Sequence, residues 1–332
     1  MTPRERFLST LRFERPDDRL PMVEWADRWG LTLNRWRAEG LPKDLNGEAL
    51  NDSFGLDTLV CLYGFARSDR LPRSAGDGAS VLTDEASYES IRPYLFTDAC
   101  IQNCVNAARA CRKRHERGEI AVRLWLDGFF WLPRALWGIR NHLFAFYDAP
   151  ELMRRINGDL ADFSLRLTEA VFSVLTPDMV GFAEDMSYNH GPMLSREMFD
   201  AFLLPFYRKV IPFIKRCGVK VFADSDGDVT AMIPWLMEAG IDGVYPLERQ
   251  AGVDAAAIRR RYPSFLMLGA YDKRVMSMGE EAMRAEFERL LPVMRSGGFI
   301  ASVDHQTPPE VSLEQYRKYL LLYREFCERA VS

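Results

Sequence analysis

The sequence predicts an α/β fold, a single (β/α)8 barrel of the TIM type formed by residues 1–332. Three observations carry this expectation. Eight short runs of β-type residues recur, most of them continuously apolar, as parallel strands covered on both faces should be. Amphipathic stretches long enough for crossover helices lie between them. No Pro/Ser/Gly linker or abrupt charge shift divides the 332 residues, a length that one barrel fills and that an open doubly wound sheet of about five to seven strands fits less well.

In chain order the strands are expected at residues 20–24 (LPMVE), 57–63 (DTLVCLY), 120–126 (IAVRLWL), 179–183 (MVGFA), 219–223 (VKVFA), 243–246 (GVYP), 265–269 (FLMLG) and 299–303 (FIASV). The crossover helices are PELMRRINGDLADFSLRLTEAVFSVL, REMFDAFLLPFYRKVIPFIKRC, VTAMIPWLMEAG and GEEAMRAEFERLLPVMRSGG. Several end in Gly, which accepts the left-handed conformation of a helix C-cap. The polar stretch at residues 68–86 reads as a surface loop, with a flexible or hairpin insertion as the alternative.

Composition narrows the class. Apolar residues make up 48% of the chain and charged ones 27%, enough for a large core and too apolar for disorder. The formal charge of −4 supplies no basic field to recruit nucleic acid or anionic lipid. No apolar run reaches the ~20 residues of a membrane span. The six cysteines contain no C-x-x-C pair and the N-terminus lacks an apolar leader, so a cytoplasmic protein with reduced thiols is expected. Cys100, Cys104 and Cys111 fall at helical spacing and read as core residues rather than a metal clip.

Barrel chemistry belongs at the C-terminal ends of the strands, and those ends are acidic. Glu24, Asp127, Glu184, Asp185, Asp224, Asp226, Asp228, Glu248, Asp272 and Asp304 all follow a strand run. Convergent carboxylates suit a divalent cation, a cationic substrate or acid–base work. Asp is also a favoured N-cap, and Asp228 and Asp127 read that way. DSDGD misses the EF-hand template, because its Gly follows the second Asp and no closing Glu is in place. G-x-G-x-x-G after a strand, the P-loop and G-x-S-x-G are absent. Of the four histidines only His305 directly follows a strand. Trp25, Trp29, Phe129, Phe130, Trp131, Tyr188 and Tyr271 crowd the same ends and could wall a pocket.

The chain resembles the uroporphyrinogen decarboxylase superfamily. The likeness rests on RERFLSTLRFERPDDRLP, FGLD, WLPRALWGIRNHLFAFYDAPEL, EDMSYNHGPMLSREMF, EAGIDGVYPLE, LGAYDKR and GGFIASVDHQTPPEVSLEQYRKY taken together. That superfamily comprises porphyrinogen decarboxylases and zinc-dependent methyltransferases that move methyl groups to or from corrinoid proteins, all on a (β/α)8 barrel. The decarboxylase arginine motif is missing, and PMVEWADRWG stands in its place. Two like charges a few ångströms apart repel by about 4 kcal/mol at an effective dielectric of 20, so an acidic face disfavours an octacarboxylate.

The methyltransferase resemblance implies that Asp224, Asp226 and His305 hold a divalent metal (Zn²⁺, Mn²⁺ or Fe²⁺) or act as acid and base. Glu184 and Asp185 then orient the substrate, a small methylated compound or a methyl group on a corrinoid partner protein. Glu24, Trp25, Arg28, Tyr188, Glu248, Tyr271 and Asp272 are the expected substrate contacts. The alternative is decarboxylation without a cofactor, with Asp57 stabilising a cationic intermediate and His305 shuttling protons. Arg123, Arg134 or Arg140 turned inward would mark that branch. A third reading is a non-catalytic binding barrel. Either a monomer or a homodimer is compatible with the sequence.

Overall fold

The computed structural model describes residues 1–72 and 80–332. Its strands are β1 (Leu59–Gly64), β2 (Ala121–Asp127), β3 (Met179–Ala183), the short hairpin β4 (Ser187–Tyr188) and β5 (Gly191–Pro192), β6 (Lys220–Asp224), β7 (Gly243–Tyr245), β8 (Leu266–Tyr271) and β9 (Phe299–Val303). A parallel seven-stranded sheet runs in the order β1-β2-β3-β6-β7-β8-β9. Helices fill the crossovers, among them Asp98–Glu116, Pro150–Phe172, Leu204–Arg216, Glu280–Arg295 and Leu313–Arg329.

Alternate residues of the strands face inward. Ala121, Met179, Phe222, Tyr245, Leu266, Leu268 and Ile300 form one inner cluster, with Phe7 and Leu11 of the N-terminal helix Pro3–Leu11 packed into it and Leu59 of β1 against it. The first and last strands thus share a core, so the sheet is curled. The opposite faces bury against the helices in a much larger cluster.

The expectation of eight strands is corrected to seven. Residues 20–24 run extended between β1 and β9 without joining the ladder. Their backbone donors are engaged elsewhere. The Leu20 N–H goes to the carbonyl of Cys327, Pro21 has none, the Met22 N–H goes to the Asp57 carboxylate, and the Val23 N–H goes to the Tyr323 hydroxyl. A segment whose donors are spent in this way cannot pair as a regular strand.

Of the remaining expected strands, those at residues 179–183 and 299–303 are found as expected and the other five shift by a residue or two, as termini do. The long stretch REMFDAFLLPFYRKVIPFIKRC divides into Arg196–Phe202 and Leu204–Arg216 just ahead of Pro205, which cannot donate within a continuous helix. VTAMIPWLMEAG ends as expected, on Gly240 in the left-handed conformation. Part of the expected loop at residues 68–86 lies outside the described residues. Its C-terminal end is shorter than expected, because Asp84 caps a helix that begins at Glu85. Among the described residues no helix is long and apolar enough to cross a membrane.

Asp57 is also corrected. It precedes β1, at the end of the sheet remote from the strand C-termini, and is buried. Arg6 Nη1 donates to it at 2.8 Å, Arg19 at 2.5 and 2.9 Å, and the Met22 N–H at 2.9 Å. Every acceptor lobe is used, so Asp57 pins the chain's first 22 residues beneath the sheet rather than meeting a substrate. Removing one partner of a buried pair leaves the others uncompensated, at a cost of about 3–5 kcal/mol. Asp57→Ala is therefore expected to lower unfolding free energy by about that amount in urea titrations; an unchanged midpoint would contradict the pinning role.

Candidate functional site

A cleft of about 610 Å³ opens at the strand C-termini. Its walls are aromatic: Trp25, Tyr63, Phe65, Trp125 and Trp131 all line it. Tyr63, Phe65 and Trp125 tile one side with ring centroids 5.4–5.7 Å apart. Trp25 is fixed by its Nε1–H, which donates to the Val303 carbonyl at 2.9 Å. Its ring lies 5.3 Å from Tyr245 and 6.1 Å from His305.

Asp185, Asp224 and Asp226 bring carboxyl groups into this cleft. Asp224 ends β6, in register with Ala183 of β3 and Tyr245 of β7. It is buried, and that burial pushes its carboxyl well above the usual range; Asp185 adds to the effect and Arg123 opposes it. Asp185 occupies a left-handed backbone conformation with φ 43°, which Asp tolerates better than most residues. Arg134 Nη1 donates to its carbonyl at 2.9 Å. Burial raises its carboxyl too, against the attraction of Arg134. Asp226 is half-buried and is raised to about 7, first by desolvation and then by Asp185 and Glu248. His305 Nε2 lies 3.7 Å from it and is lowered by burial and by Lys273.

Other expected site residues line the cleft in supporting roles. Glu24 accepts from the Ser302 hydroxyl at 3.0 Å and from the Tyr316 hydroxyl at 3.4 Å. Arg28 donates to Asn51 and, at 2.8 Å, to the Tyr316 hydroxyl. Arg67, also in the wall, pairs with Asp127 buried behind it, whose carboxylate takes the Ala66 N–H; the cap expected of Asp127 is thus corrected, since the N-cap of the helix Trp131–Trp137 is Phe130.

The structure withdraws five expected site residues from the cleft. Glu184 is buried beneath it, accepting from the Phe129 N–H at 2.9 Å, the Phe130 N–H at 2.7 Å and the Tyr207 hydroxyl. Gly128 makes this possible, since a Cβ there would stand 2.2 Å from the Glu184 carboxyl carbon. Desolvation raises Glu184 to about 7, yet it serves the turn into the helix Trp131–Trp137 and not a substrate. Tyr188 is exposed on the hairpin outside the cleft. Tyr271 is fully buried against Phe287 and Tyr319. Asp272 caps and pairs with Arg274. Glu248 accepts the Gly227 N–H at 3.0 Å and sits 3.5 Å from Lys273 Nζ. Among the acids not assigned a substrate role, Asp228 accepts the Thr230 N–H at 2.9 Å and so closes a turn, but the N-cap position of the short helical turn Thr230–Met232 is Val229, so the expected cap is corrected to a turn.

The resemblance raised the question of a metal on Asp224, Asp226 and His305. All three line the cleft, but among the described residues no three His, Cys, Asp or Glu side chains gather with ligating geometry. The donors present do not fit a three-ligand metal site.

Two cleft residues, Arg123 and Trp125, and the buried Tyr245 beside them come from the structure. Arg123 figured in the sequence only as a condition on the decarboxylase branch, and Trp125 and Tyr245 had no assigned role. The available signal was an arginine interrupting the apolar run IAVRLWL. A charge there must face either the helices or the barrel interior, and here it lines the cleft. Arg134 lies over Trp131, and Arg140 is exposed on the helix Ile139–Asp148.

Comparison with known proteins places the chain. Residues 79–326 match the family model for uroporphyrinogen decarboxylase (URO-D), and the chain belongs to that family. No curated protein matches the sequence significantly. Among solved structures, a methyltransferase from Methanosarcina mazei superposes with a TM-score of 0.65 at 15% identity, over 98% of both chains. A putative vitamin-B12 independent methionine synthase from Listeria monocytogenes gives 0.49 at 10% identity, over 94% of this chain and 98% of its own. At these identities the first likeness establishes the shared fold.

Asp224 tests the electrostatics of the cleft. Its folded value is raised, so the folded protein holds the proton more tightly than the unfolded chain, whose aspartates titrate near about 4. Stability is thus fully present below that value and is lost as pH rises toward the folded one. Asp224→Asn, which does not ionise, is expected to be more stable than the native chain at neutral pH, with the gap closing near pH 4 in urea titrations. A gap that does not change with pH would contradict a buried neutral carboxyl.

Proposed function

We propose that the cleft performs acid–base chemistry on a carboxylic acid, releasing CO₂ by means of the chain's own side chains. The observation that carries this reading is the juxtaposition, in one aromatic cleft, of the carboxyl groups of Asp185, Asp224 and Asp226 with the buried guanidinium of Arg123. A cation suits a substrate carboxylate, and desolvated carboxyls suit proton donation at neutral pH. In the reaction the bond from the substrate carbon to its carboxylate breaks. The electron pair stays in the substrate's conjugated system, and a proton then takes the place of CO₂.

Asp224 is the deep donor. Asp226 stands nearer the mouth beside His305 and returns the proton from solvent. These groups take over the role that sequence resemblance gave to Asp57. General acid catalysis of this kind contributes about 10²–10⁴-fold.

Methyl transfer is the second reading, favoured by the aromatic walls. Rings beside carboxyl groups also suit a methylated ammonium or sulfonium ion, with a corrinoid protein as partner.

The test is CO₂ release from a panel of aromatic and unsaturated carboxylic acids. Activity is expected to fall as pH rises through about 7, because Asp226 must hold a proton. Asp226→Asn is expected to lower kcat by about 100-fold or more with Tm little changed. Methyl transfer from a trimethylammonium donor to free corrinoid, with no CO₂ from any acid, would replace this reading by the second. Binding with neither activity would leave a binding barrel.

A further inference from the structure

We propose that Arg123 and Trp125, which line the cleft, together with the buried Tyr245 beside them, form a clamp for the single carboxylate of a small acid with a flat, unsaturated body. This inference rests on the reading of the cleft as the place where a carboxylic acid reacts, and it names the substrate class.

Arg123 is 4% exposed, and its Nε and Nη1 have no hydrogen-bond partner among the described residues. Arg19, the other buried arginine among the described residues, is doubly bonded to Asp57. An unpartnered buried cation is costly, and this one lines an open cleft. Two further buried donors, Trp125 Nε1 and the Tyr245 hydroxyl, are also unpartnered. The guanidinium carbon lies 5.1 Å from the Trp125 ring and 5.4 Å from the Tyr245 ring, so all three groups are neighbours. Gly181 keeps the hydroxyl in place, since a Cβ there would come within 2.5 Å of it.

All three groups can donate, and the planar guanidinium fork matches a carboxylate. One cation balances one negative charge, whereas a phosphate dianion would bring a second beside Asp224, Asp185 and Asp226. Arg67 and Arg28, the other cleft arginines, already have protein partners. Above the clamp, the rings of Tyr63, Phe65 and Trp125 suit a flat body.

The probes are 2-naphthoate, 2-naphthamide and 2-naphthyl phosphate, titrated calorimetrically against the full chain, Arg123→Leu, Arg123→Lys and Tyr245→Phe. Naphthoate is expected to bind at least about tenfold more tightly than either analogue. Arg123→Leu is expected to abolish that preference while keeping a Tm at or above the native one, as removal of an unpaired buried charge should. If Arg123→Leu does not fold, Arg123→Lys decides. Its loss of the fork is expected to weaken naphthoate about fivefold or more, with a smaller loss in Tyr245→Phe. Absence of naphthoate binding, equal binding of acid and amide, tighter binding of the phosphate, or unchanged affinity in the Lys variant would overturn the clamp. Acid binding through Arg123 without CO₂ release removes the proposed reaction and leaves the clamp standing. CO₂ release that is insensitive to Arg123 does the reverse.

Discussion

A charge inside a curled parallel sheet must be paired, neutralised or offered to a ligand, because a bare ion in a low-dielectric interior is costly. That constraint sorts this protein's buried ionisable groups. Asp57 is saturated by Arg6, Arg19 and a backbone N–H, and Asp178 by Arg4, His115 and the Val122 N–H. Both lie at the N-terminal end of the sheet, where they fasten the first helix and its extended tail. At the other end Asp127, Glu184 and Asp304 take backbone donors from the loops. Beyond these, His142 is kept neutral by burial among aromatic rings, and Arg123, Asp185, Asp224 and Asp226 line the cleft.

The cleft's electrostatics follow from what remains. Asp224 and Asp226 lie two residues apart and both are raised by burial, with Asp185 adding repulsion. A cluster that repels itself holds protons, which turns an acidic face into a store of proton donors at neutral pH. Lys273, 3.5 Å from Glu248 and 3.8 Å from Asp304, sets the positive boundary behind this cluster and pulls Asp226 back toward ionisation. The face that looked hostile to any anion from its formal charges is milder once its protons are placed.

Much of the fold was legible in the sequence, and the limits have physical causes. Seven of the eight apolar runs are strands, because continuous β-type runs between amphipathic helices have few other ways to bury both faces. The run at residues 20–24 has the same composition, but its donors go to side chains and a helix end that no local pattern records. The strand-end acids marked the right end of the sheet. Sequence could not separate Glu184 from Asp185, adjacent residues of which one turns into the Gly128 turn and the other, at φ 43°, into the cleft. Asp57 was misplaced because its partners, Arg6 and Arg19, come from elsewhere in the chain. Arg123 was visible as a charge in an apolar strand, and only its missing partner makes it informative.

The chemistry assigned to the cleft depends on neutral carboxyl groups standing beside Arg123. Carbon-13 NMR of protein labelled at the aspartate carboxyl carbons reads those protonation states directly. A carboxyl resonance that titrates well above the usual aspartate range is expected to disappear in Asp224→Asn, and a second with a midpoint near 7 in Asp226→Asn. Titration of every aspartate below about pH 5, close to the unperturbed value, would contradict it.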